Sequence, residues 1–118
     1  MLSSVNHTFK RLSSMMPVTD ILQHKESYLL EYEIPGVKKE DITITTNDGV
    51  LEIKAKKAAQ ERKGHSMVRS ERFYGDVERS FTIPRGVDVE KIEALLADGV
   101  LTVKIPRINS SKIDIKVH

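Results

Sequence analysis

The stretch "DITITTNDGVLEIKA", residues 41 to 55, decides what kind of fold this chain adopts. Ile42 and Ile44 alternate with threonines, and Leu51, Ile53 and Ala55 alternate with charged residues on the way back. Side chains two apart in an extended chain share a face, so each half has one apolar and one polar side. Between the halves stands Asn47-Asp48-Gly49. Asp-Gly between alternating segments predicts a hairpin, because glycine accepts the positive φ that the turn requires. The signature returns as "ADGVLTVKIP" (97 to 106), with Leu101, Val103 and Ile105 on one face. Two hairpin returns with the same turn chemistry explain "DGVLEIK" and "DGVLTVK" as well as a repeat does, and no wider duplication accompanies them.

Working outward, "YLLEYEIPG" (28 to 36) sets Tyr28, Leu30, Tyr32 and Ile34 against Leu29, Glu31 and Glu33, then stops at Pro35-Gly36. "MVRSERFYG" (67 to 75), "DVERSFTIP" (76 to 84) and "KIEALLADG" (91 to 99) read as further strands. The last also fits a short helix through Ile92, Leu95 and Leu96, but it would be barely two turns long, so a strand is preferred. Short strands with turn signals every ~8–12 residues predict an all-β chain folded as an antiparallel β-sandwich. One segment breaks the pattern: Lys56 to Ser66 is charged and lacks an apolar alternation. A loop of that length inside a compact domain is usually functional or mobile. "VRSERFYG" at its far end reads as a strand carried on a long arm, able to pair with another subunit's sheet.

Arg79 shares parity with Val77, Phe81 and Ile83, which puts it on an apolar face. A buried guanidinium without a partner is costly. Either a bulge turns it to solvent, or it forms an ion pair across a subunit interface.

Composition narrows the function. With 118 residues and 39% apolar content the chain makes one domain with a thin core, for which self-association adds stability. There are no cysteines, which removes disulfides and thiolate metal sites and suits a reducing compartment. The 19 basic and 17 acidic residues are interleaved, and the densest basic stretch, "KAKKAAQERKGH", has no aromatic residue; neither feature suits nucleic acid. No apolar run approaches the ~20 residues of a membrane span, and no continuous h-region marks a secretory signal. The first residues are basic, hydroxyl-rich and acid-free up to Asp20, as transit peptides are, but Leu2, Val5, Phe9 and Leu12 recur at helical spacing. That spacing predicts an amphipathic first segment and leaves the cytoplasm as the expected compartment.

Chemistry is sparse. No G-x-S-x-G elbow or P-loop is present, and His7, His24, His65 and His118 are scattered without metal-ligand spacing. The reading is therefore no enzyme, no metal and no cofactor. The tail "SSKIDIKVH" (110 to 118) carries Ile113 and Ile115 on one face with too few residues after them to build a partner. Two serines and Pro106 detach it from the preceding strand.

Together these pieces resemble the small heat-shock proteins and their α-crystallin domain. "ERFYGDVERSFTIP" (71 to 84) is similar to the family's run into a Phe-x-(Leu/Ile)-Pro strand end. "KIEALLADGVLTVKIP" (91 to 106) is similar to its A-x-x-x-x-G-V-L signature, here Ala94, Gly99, Val100 and Leu101. "IPGVKKEDI" (34 to 42) and the Ile-x-Ile of "KIDI" match two further blocks.

The resemblance implies an immunoglobulin-like antiparallel β-sandwich over residues 17–107, with the arm loop at 56–75. A short N-terminal segment (1–16) precedes it and a C-terminal extension (108–118) follows. It implies an ATP-independent holdase that captures non-native client proteins and leaves refolding to ATP-dependent chaperones. It implies a dimer by strand exchange, with Met67, Val68, Arg69, Glu71 and Arg72 of one arm, and Arg79 nearby, meeting the partner's edge strand near Val18 to Leu22. Ile113 and Ile115 would dock between the strand with Ile42 and Ile44 and the strand with Ile92 and Ala94 of a neighbouring dimer. The N-terminal segment is shorter than in many members. Its Leu2, Val5, Phe9, Leu12, Met15 and Met16 are expected to contact clients, the methionines adapting to varied surfaces; the alternative is a frayed, inert terminus. A rival from another class is a monomeric adaptor domain of the same shape.

Overall fold

The computed structural model describes residues 4–7, 19–108 and 115–118. Two four-stranded antiparallel sheets face each other. One has the order β1 (Ser4–His7), β6 (Gly75–Thr82), β5 (Val50–Lys57), β4 (Ile42–Asn47). The other has the order β2 (Thr19–Gln23), β3 (Ser27–Glu33), β8 (Val100–Pro106), β7 (Glu93–Ala97). The only helical pieces among the described residues are 3-10 turns at Lys39–Asp41 and Val89–Lys91.

Alternation in the sequence becomes the core directly. Tyr28, Leu30, Tyr32 and Ile34 of the β3 run, Leu51, Ile53 and Ala55 of β5, and Leu101, Val103 and Ile105 of β8 are all buried. Val77 and Phe81 of β6 complete the layer. The segment at 93–97 is a strand, since its residues pair in register with β8 from Glu93↔Lys104 to Ala97↔Val100.

Both Asp-Gly turns place two successive residues at positive φ: Asp48 at 49° and Gly49 at 76°, Asp98 at 53° and Gly99 at 75°. This is the arrangement that matches the twist of a two-residue hairpin. Each turn also caps a neighbouring strand. The Ile34 N–H donates to the Gly99 carbonyl and the Ile83 N–H to the Gly49 carbonyl, both at 2.8 Å. A proline follows each isoleucine, so the ladder ends there for want of an N–H. At Gly99 the fit is close: a Cβ would lie 3.1 Å from the Pro35 backbone. The units β6-β5-β4 and β3-β8-β7 are thus built alike, which accounts for the recurring "DGVL" without any longer duplication.

Two expectations are corrected. Residues 67–74 do not form a strand within the chain; β6 begins only at Gly75, and residues 58–74 lie outside every ladder. The returning arm meets the sheet at β6, whose two sides are already taken by β5 and β1, so no ladder position is open to it there. At the N-terminus, residues 4–7, including Val5, are not a helical turn but the strand β1, paired with β6 from Ser4↔Phe81 to His7↔Arg79. The ladder groups along that side of β6 outweigh the helical spacing, which tertiary pairing overrides. Leu2, Phe9, Leu12, Met15 and Met16 lie outside the described residues.

Candidate functional site

Arg79 fixes how the sheets are stacked. Its Nη1 donates a 2.8 Å hydrogen bond to Thr19 Oγ1, and its guanidinium lies over the rings of Phe81 (4.9 Å) and Tyr32 (5.8 Å). This sets β6 across from β2 and β3. Given the strand orders, β4 and β7 then flank the opposite long side together. The sandwich therefore has two different open sides.

The first side is polar at depth. The ladder between β5 and β6 runs without interruption from Val50↔Thr82 to Lys57↔Gly75, so no bulge swings Arg79 to solvent. That expectation is corrected: alternation keeps the side chain between the sheets, where two aromatic faces and a hydroxyl receive it. Its Nε is buried without a hydrogen-bond partner among the described residues, and so is the Tyr32 hydroxyl. Burial pushes the Tyr32 pKa up to about 12, against a smaller lowering by the Arg79 charge. No carboxylate of the described residues makes an ion pair with Arg79. Outside Arg79 lies β2, an edge strand whose other side pairs with no strand among the described residues. Ile21 pairs with fully buried Leu30, and so faces inward, yet it is 37% exposed. Edge strands with a free row of N–H and C=O groups are templates for another strand.

The second side is apolar. Ile42 and Ile44 on β4, and Ile92 and Leu96 at β7, lie half-buried against the core. Ala94 pairs with fully buried Val103, which turns it inward, yet it remains exposed. An inward-facing side chain left uncovered marks a furrow between the two edge strands.

The arm and tail are placed as follows. Met67 (69% exposed) and Val68 (96% exposed) stand in solvent, Arg69 and Glu71 form an exposed ion pair at 2.6 Å, and Arg72 lies over Tyr74 at 5.5 Å. None of these makes a hydrogen bond, ion pair or ring contact with Arg79. Ile115 is 86% exposed, and Ile113 lies outside the described residues. Among the described residues no cluster of metal-ligating side chains occurs and no helix is long and apolar enough to cross a membrane.

The description "Hsp20/alpha crystallin family" fits residues 20–118. The chain belongs to that family. Small heat shock protein C4 of Rickettsia felis is 38% identical over 99 residues, covering 83% of this chain and 61% of the relative. Heat shock protein 16 of Schizosaccharomyces pombe is 35% identical over 102 residues, covering 83% and 71%. The chain thus spans about three-fifths of the Rickettsia protein. Among solved structures, heat shock protein 16.0 of S. pombe superposes with a TM-score of 0.74 at 31% identity, covering 87% of this chain and 96% of that one. A small heat-shock protein from Xylella fastidiosa, described as having a distinct high order structure, gives 0.73 at 29% identity over 87% and 96%. The fold of this Hsp20-family chain is accordingly the α-crystallin β-sandwich, and its relatives are small heat-shock proteins, a family of chaperones.

Sequence reasoning found Arg79 by parity but missed Thr19 and Tyr32, the groups that receive it. Tyr32 carried a signal: a phenol on the buried face of β3 needs a hydrogen-bond partner. Thr19 carried none, since only the stacking of the sheets brings it to Arg79.

Proposed function

We propose that this Hsp20-family chain is an ATP-independent holdase, working in the cytoplasm, that binds partly unfolded proteins and prevents their aggregation. The observation that carries the reading is the uncovered furrow between β4 and β7, where Ala94, Ile42, Ile44 and Ile92 offer apolar surface at two strand edges. Apolar burial is non-directional, so such a surface accepts varied apolar segments and needs neither nucleotide nor catalytic group. Bound clients pass to ATP-dependent chaperones. The short N-terminal segment supplies further apolar contacts from Leu2, Val5, Phe9, Leu12, Met15 and Met16.

The subunits pair by exchanging arms, residues 67–72 of one adding to β2 of the other. In an antiparallel register that sets Glu71 beside Thr19, the carboxylate arrives at the unpaired Arg79 Nε, and Val68 falls on the outer face beside Leu22. Glu71 is the one carboxylate between Arg62 and Phe73, which makes it the arm's available partner for a buried cation. Dimers are linked by tails: Ile113 and Ile115 enter the furrow of a neighbour. At about 1.5–3 kcal/mol per buried isoleucine, the pair supplies roughly 3–6 kcal/mol before association entropy is subtracted, so one tail binds at about millimolar affinity or weaker, and several tails together hold an assembly.

The test is suppression of aggregation of a heat- or reductant-unfolded protein without nucleotide. Turbidity unchanged at about two-fold subunit excess, a margin suited to weak multivalent capture, refutes the holdase. Size-exclusion chromatography with light scattering separates it from the monomeric adaptor, which stays monomeric at every concentration.

A further inference from the structure

Away from both open sides, where the arm leaves β5 and rejoins β6, lies a cavity of about 280 Å³. Lys57 and Arg62 enter it from the outgoing limb, Arg72 and Tyr74 from the returning limb, and Lys38 and Asp41 from the body. Four cationic side chains thus face one carboxylate, an excess of three positive charges, and none of the four is in an ion pair among the described residues. The rest of the chain is nearly balanced in charge, so this concentration is local.

Two of the cations are held in place. Arg72 lies over the half-buried Tyr74 ring. The half-buried Lys57 runs along Gly36, where a Cβ would come within 2.9 Å of the Lys57 Cε; the missing Cβ makes room for the lysine stem. Like charges gathered in a concavity raise its potential and attract counter-ions, and a guanidinium binds phosphate oxygens through paired N–H donors.

We infer that this cavity binds an oligophosphate anion, which bridges the two limbs of the arm to the body at the arm's root. A single phosphate carries at most about two negative charges at neutral pH, so two or three linked phosphoryl groups match an excess of three better. The chain has no P-loop, and the site binds without cleaving. The inference does not rest on the holdase reading, because binding to the purified protein is measured without any client; where arms are exchanged and Arg72 lies on the partner's strand, Lys38, Lys57 and Arg62 still outnumber Asp41 at the arm's root.

Isothermal titration with tripolyphosphate, ATP and adenosine at low and high salt tests it. The expected result is one site per subunit for tripolyphosphate, weakened by salt and reduced at least tenfold by Lys57→Ala with Arg62→Ala. ATP binding with tripolyphosphate-like affinity and no binding of adenosine would identify the phosphate chain as the recognised group. Lys25→Ala with Lys104→Ala removes the same charge elsewhere and should leave affinity within about two-fold. Circular dichroism shows whether each variant folds, and Lys57→Arg with Arg62→Lys serves as a charge-preserving second variant that should retain binding. Absence of binding at low salt, equal loss in the control variant, or binding of a polyglutamate peptide in place of tripolyphosphate each overturns the inference.

Discussion

The two open sides of the sandwich differ in what they ask of a partner. Along β2 and β6, Arg79 and Tyr32 leave an Nε and a hydroxyl buried without hydrogen bonds among the described residues. Along β4 and β7, the uncovered groups are Ala94 and the flanks of Ile42, Ile44, Ile92 and Leu96. An orphaned polar group costs about 1–3 kcal/mol and is relieved only by a partner at hydrogen-bond geometry. An apolar furrow gains from any apolar surface that excludes water. The first side therefore suits one partner in one register, and the second suits many partners held loosely. The proposed dimer joint matches the demands of the former, and the proposed tail and client contacts those of the latter.

Deleting residues 60 to 70 puts the first half of that comparison at greatest risk. Lys57 and Gly75 are paired across the ladder, so the shortened loop still closes and the sandwich should fold. Sedimentation at low micromolar concentration should then show only monomer; a persistent dimer means that the arm does not make the joint. The second half is probed by Ile113→Ala with Ile115→Ala. This removes roughly 3–6 kcal/mol of apolar burial per tail while leaving the core untouched. Native mass spectrometry should find dimers in place of larger oligomers, with little change in domain unfolding by circular dichroism. Oligomers of wild-type size would place the isoleucines within their own subunit.

The buried phenol offers a smaller effect with a defined pH window. Tyr32 ionises near 12 in the folded chain against an ordinary 10.0, so the folded state holds the proton more tightly. Its contribution is complete below about pH 10 and is lost as pH rises toward 12, by about 2–3 kcal/mol in all. Urea unfolding of wild type and Tyr32→Phe at pH 9 and 11.5 should converge on different slopes, the variant losing less. Identical slopes would mean the hydroxyl is not sealed. The smallest expected effect, about 2 kcal/mol for a charge-assisted hydrogen bond, is the coupling between Glu71→Gln and Arg79→Lys in a double-mutant cycle on dimer dissociation. Strict additivity would give Arg79 some other partner.

Much of the fold was written in local pattern. The period of two in 28–34, 51–55 and 101–105 dictated which side chains enter the core, because a strand's faces alternate whatever lies opposite. The Asp-Gly pairs dictated where the chain turns, because a two-residue hairpin demands positive φ. The motifs around Ala94, Gly99 and Pro84 were enough to indicate the family, and residue parity alone singled out Arg79. Tertiary structure decided what parity could not. Whether Arg79 bulges out or stays in depended on the continuous β5–β6 ladder and on Thr19, sixty residues away, arriving beside it. Whether residues 67–72 form a strand depended on a free edge, and none is free beside β6 within the chain. Residues 4–7 followed the β6 edge over their own helical spacing. Local sequence sets the face and the turn because these are properties of a few neighbouring dihedral angles. Edges, orphaned donors and furrows depend on how two sheets are stacked, and only the folded chain contains that information.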